Sequence, residues 1–372
     1  MAPSERNVPF VDLTRQFNAL ESELVSAFLG VGRSGNYILG DVVQRFELEL
    51  ARYCGVEHVV SVANGSDALF LILKALGVGP GDEVITAANS FIASAWVIVA
   101  TGATPVLVDV REDLNIDPRS IEKAITSRTK AIIPVHLAGR IADMNAILEI
   151  AGRANVCVVE DAAQAIGARY NDRPAGSLGT AAGFSLHPLK NLGVYGDGGF
   201  VSTNDHALAE NIRLLRNHGL RTRDQCVVWG YNSRLDAMQA AFGLVKLQRL
   251  DSWNARCREI ARFYRVALCD YVGVPEDKAY EQNVYHNFIV KTPFRDELAR
   301  FLAENGVGTA VHYPVPIHLQ PVAQQLGYLW GSLPVVERLS GTILSLPIYP
   351  ELTDDEIRFV AETVKRFFVN KY

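Results

Sequence analysis

The sequence predicts an α/β fold: a large domain with a mostly parallel sheet covered by helices, followed by a smaller α+β domain. Two observations predict it. From residue 58 to residue 168, short apolar runs alternate with helical segments, the order that a parallel sheet with crossover helices requires. The chain has 372 residues, more than one ordinary core fills, so a second unit is expected.

Phe17, Leu20, Leu24 and Phe28 recur at helical spacing, as do Val43, Phe46 and Leu50 ahead of Gly55. Two helices therefore open the chain, the second ended by that glycine. His58–Ala63 reads as a strand, Asp67–Leu76 as a helix, and GPGDEV (79–84) as a turn into the next strand. A helix near Ser90–Ala100 leads to PVLVDV (105–110), and AIIPVHL, MNAILEIAGRA and VCVVEDAAQA continue the alternation. A helical stretch over Leu235–Leu268 carries many charges and bridges out of the large domain. Beyond it, the strand NFIVK, the helix RDELARFLAENG, the segment HYPVPIHLQP and a helix from Asp354 make up the smaller domain. The expected division is 1–250 and 251–372.

Composition narrows the function. Hydrophobic residues make up 49% and charged residues 21%, as in an ordinary globular protein rather than a disordered one. A net charge of −5 gives no basic field, so neither nucleic acid nor an anionic membrane is an expected partner. The five cysteines lack CxxC spacing, so no disulfide framework and no metal site is expected, only reduced, mostly buried thiols. The opening MAPSERNVPFVDL has no basic and apolar leader pattern, which makes cytoplasm the expected location. The uncharged run Phe91–Val108 is interrupted by Gly102 and Pro105, and reads as helix, turn and strand within a core.

Ligands of an open parallel sheet collect beyond the carboxyl ends of its strands. Four such places agree with one cofactor. After HVVSVA, the turn Asn64-Gly65-Ser66 opens a helix whose free N–H groups suit a phosphate; the rival reading makes Ser66 a simple helix cap. Asp161 ends a strand apolar enough to be buried, where a carboxylate needs a cation such as a protonated pyridine nitrogen; the rivals are a helix cap or a salt-bridged aspartate. Gln164 follows at a position read as a helix start, facing the ring's phenolic oxygen or serving the fold. In GFSLHPLKNLGVYGDGGFVST, Lys190 lies between Pro188 and a glycine-rich turn, not on a charged helix face. Partial burial there frees its amine to lose a proton and form a Schiff base, against the commoner fate of a surface lysine. Ser185 offers a hydroxyl to a phosphate or to the backbone, and His187 contacts substrate or serves the fold. Phe91 follows a strand and is placed to stack on a planar ring or to join the core. A nicotinamide-dependent dehydrogenase shares the βα alternation, but no GxGxxG follows the first strand.

The order of motifs resembles the DegT/DnrJ/EryC1 family of sugar-nucleotide aminotransferases nearly end to end. The resemblance rests on GNYILG (35–40), NGSDAL (64–69), GPGDEVIT (79–86), SFIASA (90–95), HLAGRIADM (136–144), EDAAQAIGA (160–168), SLHPLKNLGVYGDGG (185–199), GYNSRLDAMQAA (230–241) and HYPVPIHLQP (312–321). It implies a fold-type I, aspartate aminotransferase-like enzyme with pyridoxal 5'-phosphate, active as a homodimer with sites at the subunit interface. It implies that Lys190 holds the cofactor as a Schiff base, Asp161 pairs with the pyridine nitrogen, Gln164 faces the phenolic oxygen and Phe91 stacks on the ring. Gly65, Ser66 and Ser185 would bind the phosphate, with Asn232 of the partner subunit; without the family, GYNS reads only as a turn. His312 and Tyr313 would line the sugar side, or form a structural turn before Pro314. One branch of the family carries histidine at the lysine position and dehydrates; Lys190 points to transamination. The expected reaction moves an amino group from L-glutamate to a keto-sugar nucleotide, at carbon 3 of a dTDP- or UDP-linked hexose. The alternatives are amination at carbon 4 and a regulatory homologue that binds the cofactor without turnover.

Overall fold

The computed structural model describes residues 7–369 and 371. Two helices open it, α1 (Leu13–Ser34) and α2 (Asp41–Cys54), the latter closed by Gly55 in the left-handed region as expected. The large sheet follows with strands β1 (His58–Val62), β2 (Glu83–Ala87), β3 (Thr104–Val108), β4 (Thr129–Ile133) and β5 (Cys157–Asp161). Helices α3 (Gly65–Ala75), α4 (Ala93–Thr101), α5 (Pro118–Ala124) and α6 (Met144–Ala154) lie between them. After the short strands β6 (Arg169–Tyr170) and β7 (Arg173–Pro174) come β8 (Ala181–Ser185) and β9 (Gly199–Thr203).

The seven-stranded sheet has the order β1-β9-β8-β5-β4-β2-β3, and β9 alone runs against its neighbours. This is the α/β, mostly parallel architecture of fold type I. Helices cover both faces because alternate strand residues belong to different cores. Val84, Ala131 and Val159 pack with Leu69, Val97 and Ile98 on one face. Their neighbours Ile85, Ile132 and Val158 pack with Met144 and Ile147 on the other. The run Phe91–Val108 is helix α4, a turn at Gly102 and strand β3, as expected, but it is core on one side only: Val97, Ile98, Leu107 and Val108 are buried while Phe91, Trp96 and Val99 are exposed; no helix among the described residues is long and apolar enough to cross a membrane.

Helix α7 (His206–Leu215) and the hairpin of β10 (Leu220–Thr222) and β11 (Gln225–Cys226) lead to a long helical stretch. The helical stretch expected over Leu235–Leu268 is present and is made of two helices, α8 (Ala237–Leu247) and α9 (Leu250–Leu268). The break serves packing. Helix α8 packs with α2 in the core that holds Phe46 and Leu50, whereas α9 leaves that core at Leu250 and joins a second one from Cys257 onward. The second core holds β13 (Phe288–Lys291) and β14 (Ile343–Leu346), paired antiparallel, with α10 (Arg295–Glu304) and α12 (Asp354–Val369). Strand β12 (Glu281–Gln282) pairs back to β6, and α11 (Pro334–Ser340) packs Val336 and Leu339 against the large sheet's core.

Val8 belongs to the second core too: its backbone brackets Val307, donating to Gly306 O at 2.7 Å and accepting from Gly308 N at 2.9 Å. All five cysteines are free, but the expectation of mostly buried thiols is corrected: Cys54 and Cys257 are buried, Cys157 is partly so, and Cys226 and Cys269 are exposed. The two exposed residues sit in a surface hairpin and just past a helix end, where no sheet or helix covers them.

Candidate active site

Strand register gathers the site. Val62 pairs with Gly199, Gly199 with Ser185, and Gly183 with Asp161, so the carboxyl ends of β1, β8 and β5 meet at one edge around the start of β9. Helix α3 begins against that edge. A Cβ on Gly65 would lie 2.7 Å from Ser185 Cβ, and one on Gly199 would lie 2.4 Å from the carbonyl carbon of Asn64, so neither position admits a side chain as packed. The cap of α3 is Asn64, whose side chain accepts from Asp67 N at 2.8 Å, not Ser66 as the simpler reading had it. Ser66 sits inside the first turn instead, and the N–H groups of Gly65 and Ser66 are the turn's free donors.

Asp161 is the last residue of β5 and is buried. Its Oδ2 accepts from Ser94 Oγ at 2.7 Å and its Oδ1 from Ala163 N at 3.2 Å. Burial pushes its carboxyl above the ordinary value, opposed by Ser94, by the Ala163 N–H and by the charge of Lys190. Among the described residues no basic side chain forms an ion pair with it. No helix follows the strand either. Gln164 lies in a turn and is buried, its Oε1 accepting from Ala138 N at 2.7 Å and its Nε2 donating to Tyr313 Oη at 3.4 Å.

Lys190 sits in the turn after β8. That turn is held by Lys190 N donating to His187 O at 2.8 Å, Leu189 N to His187 Nδ1 at 3.3 Å, and His187 N to Ser185 Oγ at 3.2 Å. Burial of the amine pulls its pKa below that of a free lysine, with Asp161 pulling the other way. Asn191 ties the turn to α9 and to the segment before β13, its Nδ2 donating to Asn254 Oδ1 at 2.9 Å and Val284 O at 3.2 Å.

A cleft opens beside Lys190, lined by Phe10, Asn254, His286, His312 and Glu351. His312 Nδ1 lies 2.8 Å from Ser345 Oγ, and burial, with the charge of Lys190, lowers its pKa to about 4. Tyr313 is pushed up to about 12 by burial and by Asp161. The Tyr313 ring lies 6.3 Å from that of Phe91, which is 58% exposed.

Of the residues singled out in the sequence, Lys190, Asp161, Gln164, Tyr313, His312 and Phe91 are linked by these contacts, and Gly65 meets Ser185. His187 is exposed and shapes the lysine turn. Asn232 stands outside this set in the single chain: it is exposed, its backbone bridges to Asn217, and its neighbour Ser233 donates to Asp67 Oδ2 at 2.6 Å. Sequence reading missed Ser94, Ser90, Asn191 and His286. The spacing of Ser90 and Ser94, four apart at a helix start, was the only available signal. A lone histidine after Tyr285 offers none. His286 is held well below the ordinary histidine value by burial and by Lys190, His312 and His187.

Pyridoxal phosphate fits these residues. A buried carboxylate without an ion-pair partner among the described residues suits a protonated ring nitrogen, a lysine amine lies within its electrostatic reach, an exposed aromatic ring is free to stack, and a helix start offers phosphate donors. Fold and site together define an aminotransferase of fold type I. Residues 18–365 match the model of the DegT/DnrJ/EryC1/StrS aminotransferase family, and the chain belongs to that family.

A "Pleiotropic regulatory protein" of Geobacillus stearothermophilus is 47% identical over 97% of this chain and 99% of its own. The dTDP-3-amino-3,4,6-trideoxy-alpha-D-glucose transaminase of Streptomyces venezuelae is 46% identical over 97% and 96%. Among solved structures, S. venezuelae DesV in complex with a ketimine intermediate superposes with a TM-score of 0.95 at 46% identity, covering 97% of this chain and 98% of that one. NtdA from Bacillus subtilis with bound cofactor PMP superposes with a TM-score of 0.92 at 34% identity, covering 98% and 86%.

Proposed function

We propose that the protein transfers the amino group of L-glutamate to the keto carbon of a sugar nucleotide, at carbon 3 of a dTDP- or UDP-linked hexose, for amino-sugar biosynthesis. The observation that carries this reading is the buried carboxylate of Asp161, which has no ion-pair partner among the described residues and lies within electrostatic reach of the Lys190 amine. The cofactor is pyridoxal phosphate, which when bound supplies an electron-withdrawing ring for the carbon that gains or loses nitrogen.

The chain's own residues do the rest. Lys190 anchors the group and, once displaced by the donor, takes the proton from the donor's amino-bearing carbon; in the reverse half it returns one to the acceptor carbon. Asp161 keeps the ring nitrogen protonated. Gly65, Ser66 and Ser185 hold the phosphate, Phe91 covers the ring face and Gln164 faces the phenolic oxygen. Glutamate and the keto-sugar nucleotide go in; 2-oxoglutarate and the amino-sugar nucleotide come out.

Carbon 3 follows the name of the Streptomyces relative, and His187, His312 and Tyr313 are the side chains assigned to the sugar. The division near residue 250 belongs to the same reading, and the passage of α9 from one core at Leu250 to the next at Cys257 supports it. So does a cytoplasmic homodimer in which Asn232 of the partner subunit completes the phosphate pocket. Large apolar side chains left open in the single chain support the pairing: Phe28 is 53% exposed, Trp96 50% and Trp229 94%.

The name of the Geobacillus relative favours a second reading, a regulatory protein without turnover. One experiment separates them. Purified protein is incubated with glutamate and a panel of 3-keto and 4-keto sugar nucleotides, and products are read by mass spectrometry. An amino sugar from a 3-keto substrate is expected; product from 4-keto substrates alone would move the site of amination, and no product from any would leave the regulatory reading.

A further inference from the structure

The carboxylate that faces the ring nitrogen is itself held by a chain of two hydroxyls. Ser94 Oγ donates to Asp161 Oδ2 at 2.7 Å, and Ser90 Oγ lies 2.7 Å from Ser94 Oγ. Once the Ser94 proton is committed to Asp161, the bond between the serines has one polarity, with Ser90 donating. Both serines are buried, Ser94 completely. The Asp161 backbone is fixed at the same time, its N–H donating to Pro134 O at 2.9 Å and its carbonyl accepting from His136 N at 3.0 Å. Only the carboxyl torsion and proton remain to be set, and Ser94 acts on both. The same short segment carries Phe91, next to Ser90.

We propose that Ser94, oriented by Ser90, is a positioning residue that holds Asp161 in its ionised form and aims its carboxylate, thereby setting the proton affinity of the cofactor's ring nitrogen. The inference rests on the pyridoxal-phosphate reading. A hydroxyl that donates to a carboxylate stabilises the charged form, and more so away from water. The other titratable groups that bear on Asp161 are Lys190 from the turn after β8, His136 from the end of β4 and Tyr313 from the C-terminal part. His136 is occupied, its Nε2 lying 2.9 Å from Glu160 Oε2. Lys190 loses its charge once linked to the cofactor and deprotonated, and Tyr313 is neutral at physiological pH. Ser94 and the Ala163 N–H are then the donors left to Asp161 from the protein.

The test uses the cofactor-loaded full-length protein and its Ser94→Ala, Ser94→Thr and Ser90→Ala variants, with the visible band of the lysine-linked cofactor titrated against pH. With Ser94→Ala the ring nitrogen loses proton affinity, so the lysine-linked nitrogen gains it. The midpoint should rise by about one pH unit, the worth of one charge-assisted hydrogen bond, and cofactor should leave on dialysis about tenfold faster. Ser94→Thr, which keeps the hydroxyl, should restore the native midpoint. Ser90→Ala should move it in the same direction by less, and serves as the readout if Ser94→Ala does not fold. A wild-type midpoint and retention in both alanine variants would overturn the proposal. A wild-type protein that never acquires the band would overturn the cofactor reading and this inference with it.

Discussion

Glu160 and Asp161 are consecutive on β5, yet the two carboxylates are driven in opposite directions. Glu160 accepts from the N–H groups of Gly176, Leu178 and Gly179 and meets His136, and these bonds overcome burial to pull its pKa down. The Asp161 carboxylate, on the other face of the strand, accepts only from Ser94 and Ala163 among the described residues, and burial pushes it up. One carboxylate is saturated by the fold; the other keeps acceptor capacity, as the proposed pairing with a ring nitrogen requires.

The two substitutions should therefore separate cleanly. Glu160→Gln leaves buried donors poorly matched and should lower the stability of the cofactor-free protein by about 2–4 kcal/mol. Asp161→Asn should leave that melting temperature unchanged or higher while cutting turnover by a factor on the order of 100 or more. Thermal melts of cofactor-free protein beside steady-state rates check both.

Lys190→Ala should abolish amino transfer and the lysine-linked absorbance with the fold intact by circular dichroism. Because burial lowers the pKa of this amine, the neutral, nucleophilic form appears at lower pH than in free lysine, near 10.4. Cofactor capture by the empty wild-type protein should accelerate as pH rises and level off below that value, as stopped-flow absorbance would show.

Phe91→Ala removes a ring that is already 58% exposed, so the fold should lose little. If the ring covers the cofactor, retention should weaken by about tenfold, in line with the worth of one aromatic contact. Equilibrium dialysis of Phe91→Ala against Phe91→Tyr, which keeps a ring, measures it.

Arg15 of α1 grips Glu356 of α12 through two bonds, Nη1 to Oε2 at 2.8 Å and Nη2 to Oε1 at 2.7 Å, and holds the glutamate down at about 2. A carboxylate with a depressed folded-state pKa contributes stability above its unfolded pKa of about 4.3 and loses it as pH falls towards the folded value. Glu356→Gln should cost about 1 kcal/mol at neutral pH, discounted for the partly exposed arginine. The gap to wild type should close between about pH 4.3 and pH 2 in urea melts.

The alternation of βα units was legible because strand and helix periods differ and each apolar run was bounded by Gly, Pro or Asp. Asp161 and Lys190 could be singled out for a related reason: a charge at the end of an apolar strand, or between a proline and a glycine turn, needs an explanation. Ser94 was not, since a serine in a helix is unremarkable until its partner 67 residues away is known. The break between α8 and α9 was hidden because Gln248 and Arg249 are both acceptable in a helix; only the passage from one core to another interrupts it. Asn64 displaced Ser66 as the cap because either residue type suits the role and only the backbone register decides.

Val8 is stitched to Val307 in the second core, and from there the chain passes along the cleft beside Lys190 before entering α1, which rests on the large domain. Residues 10–13 thus form one wall of the cleft, anchored through Val8 in one core and continued by α1 on the other side. A substitution of Phe10 or Asp12 therefore alters a wall that the lysine cleft shares, although both residues lie far from that lysine along the chain.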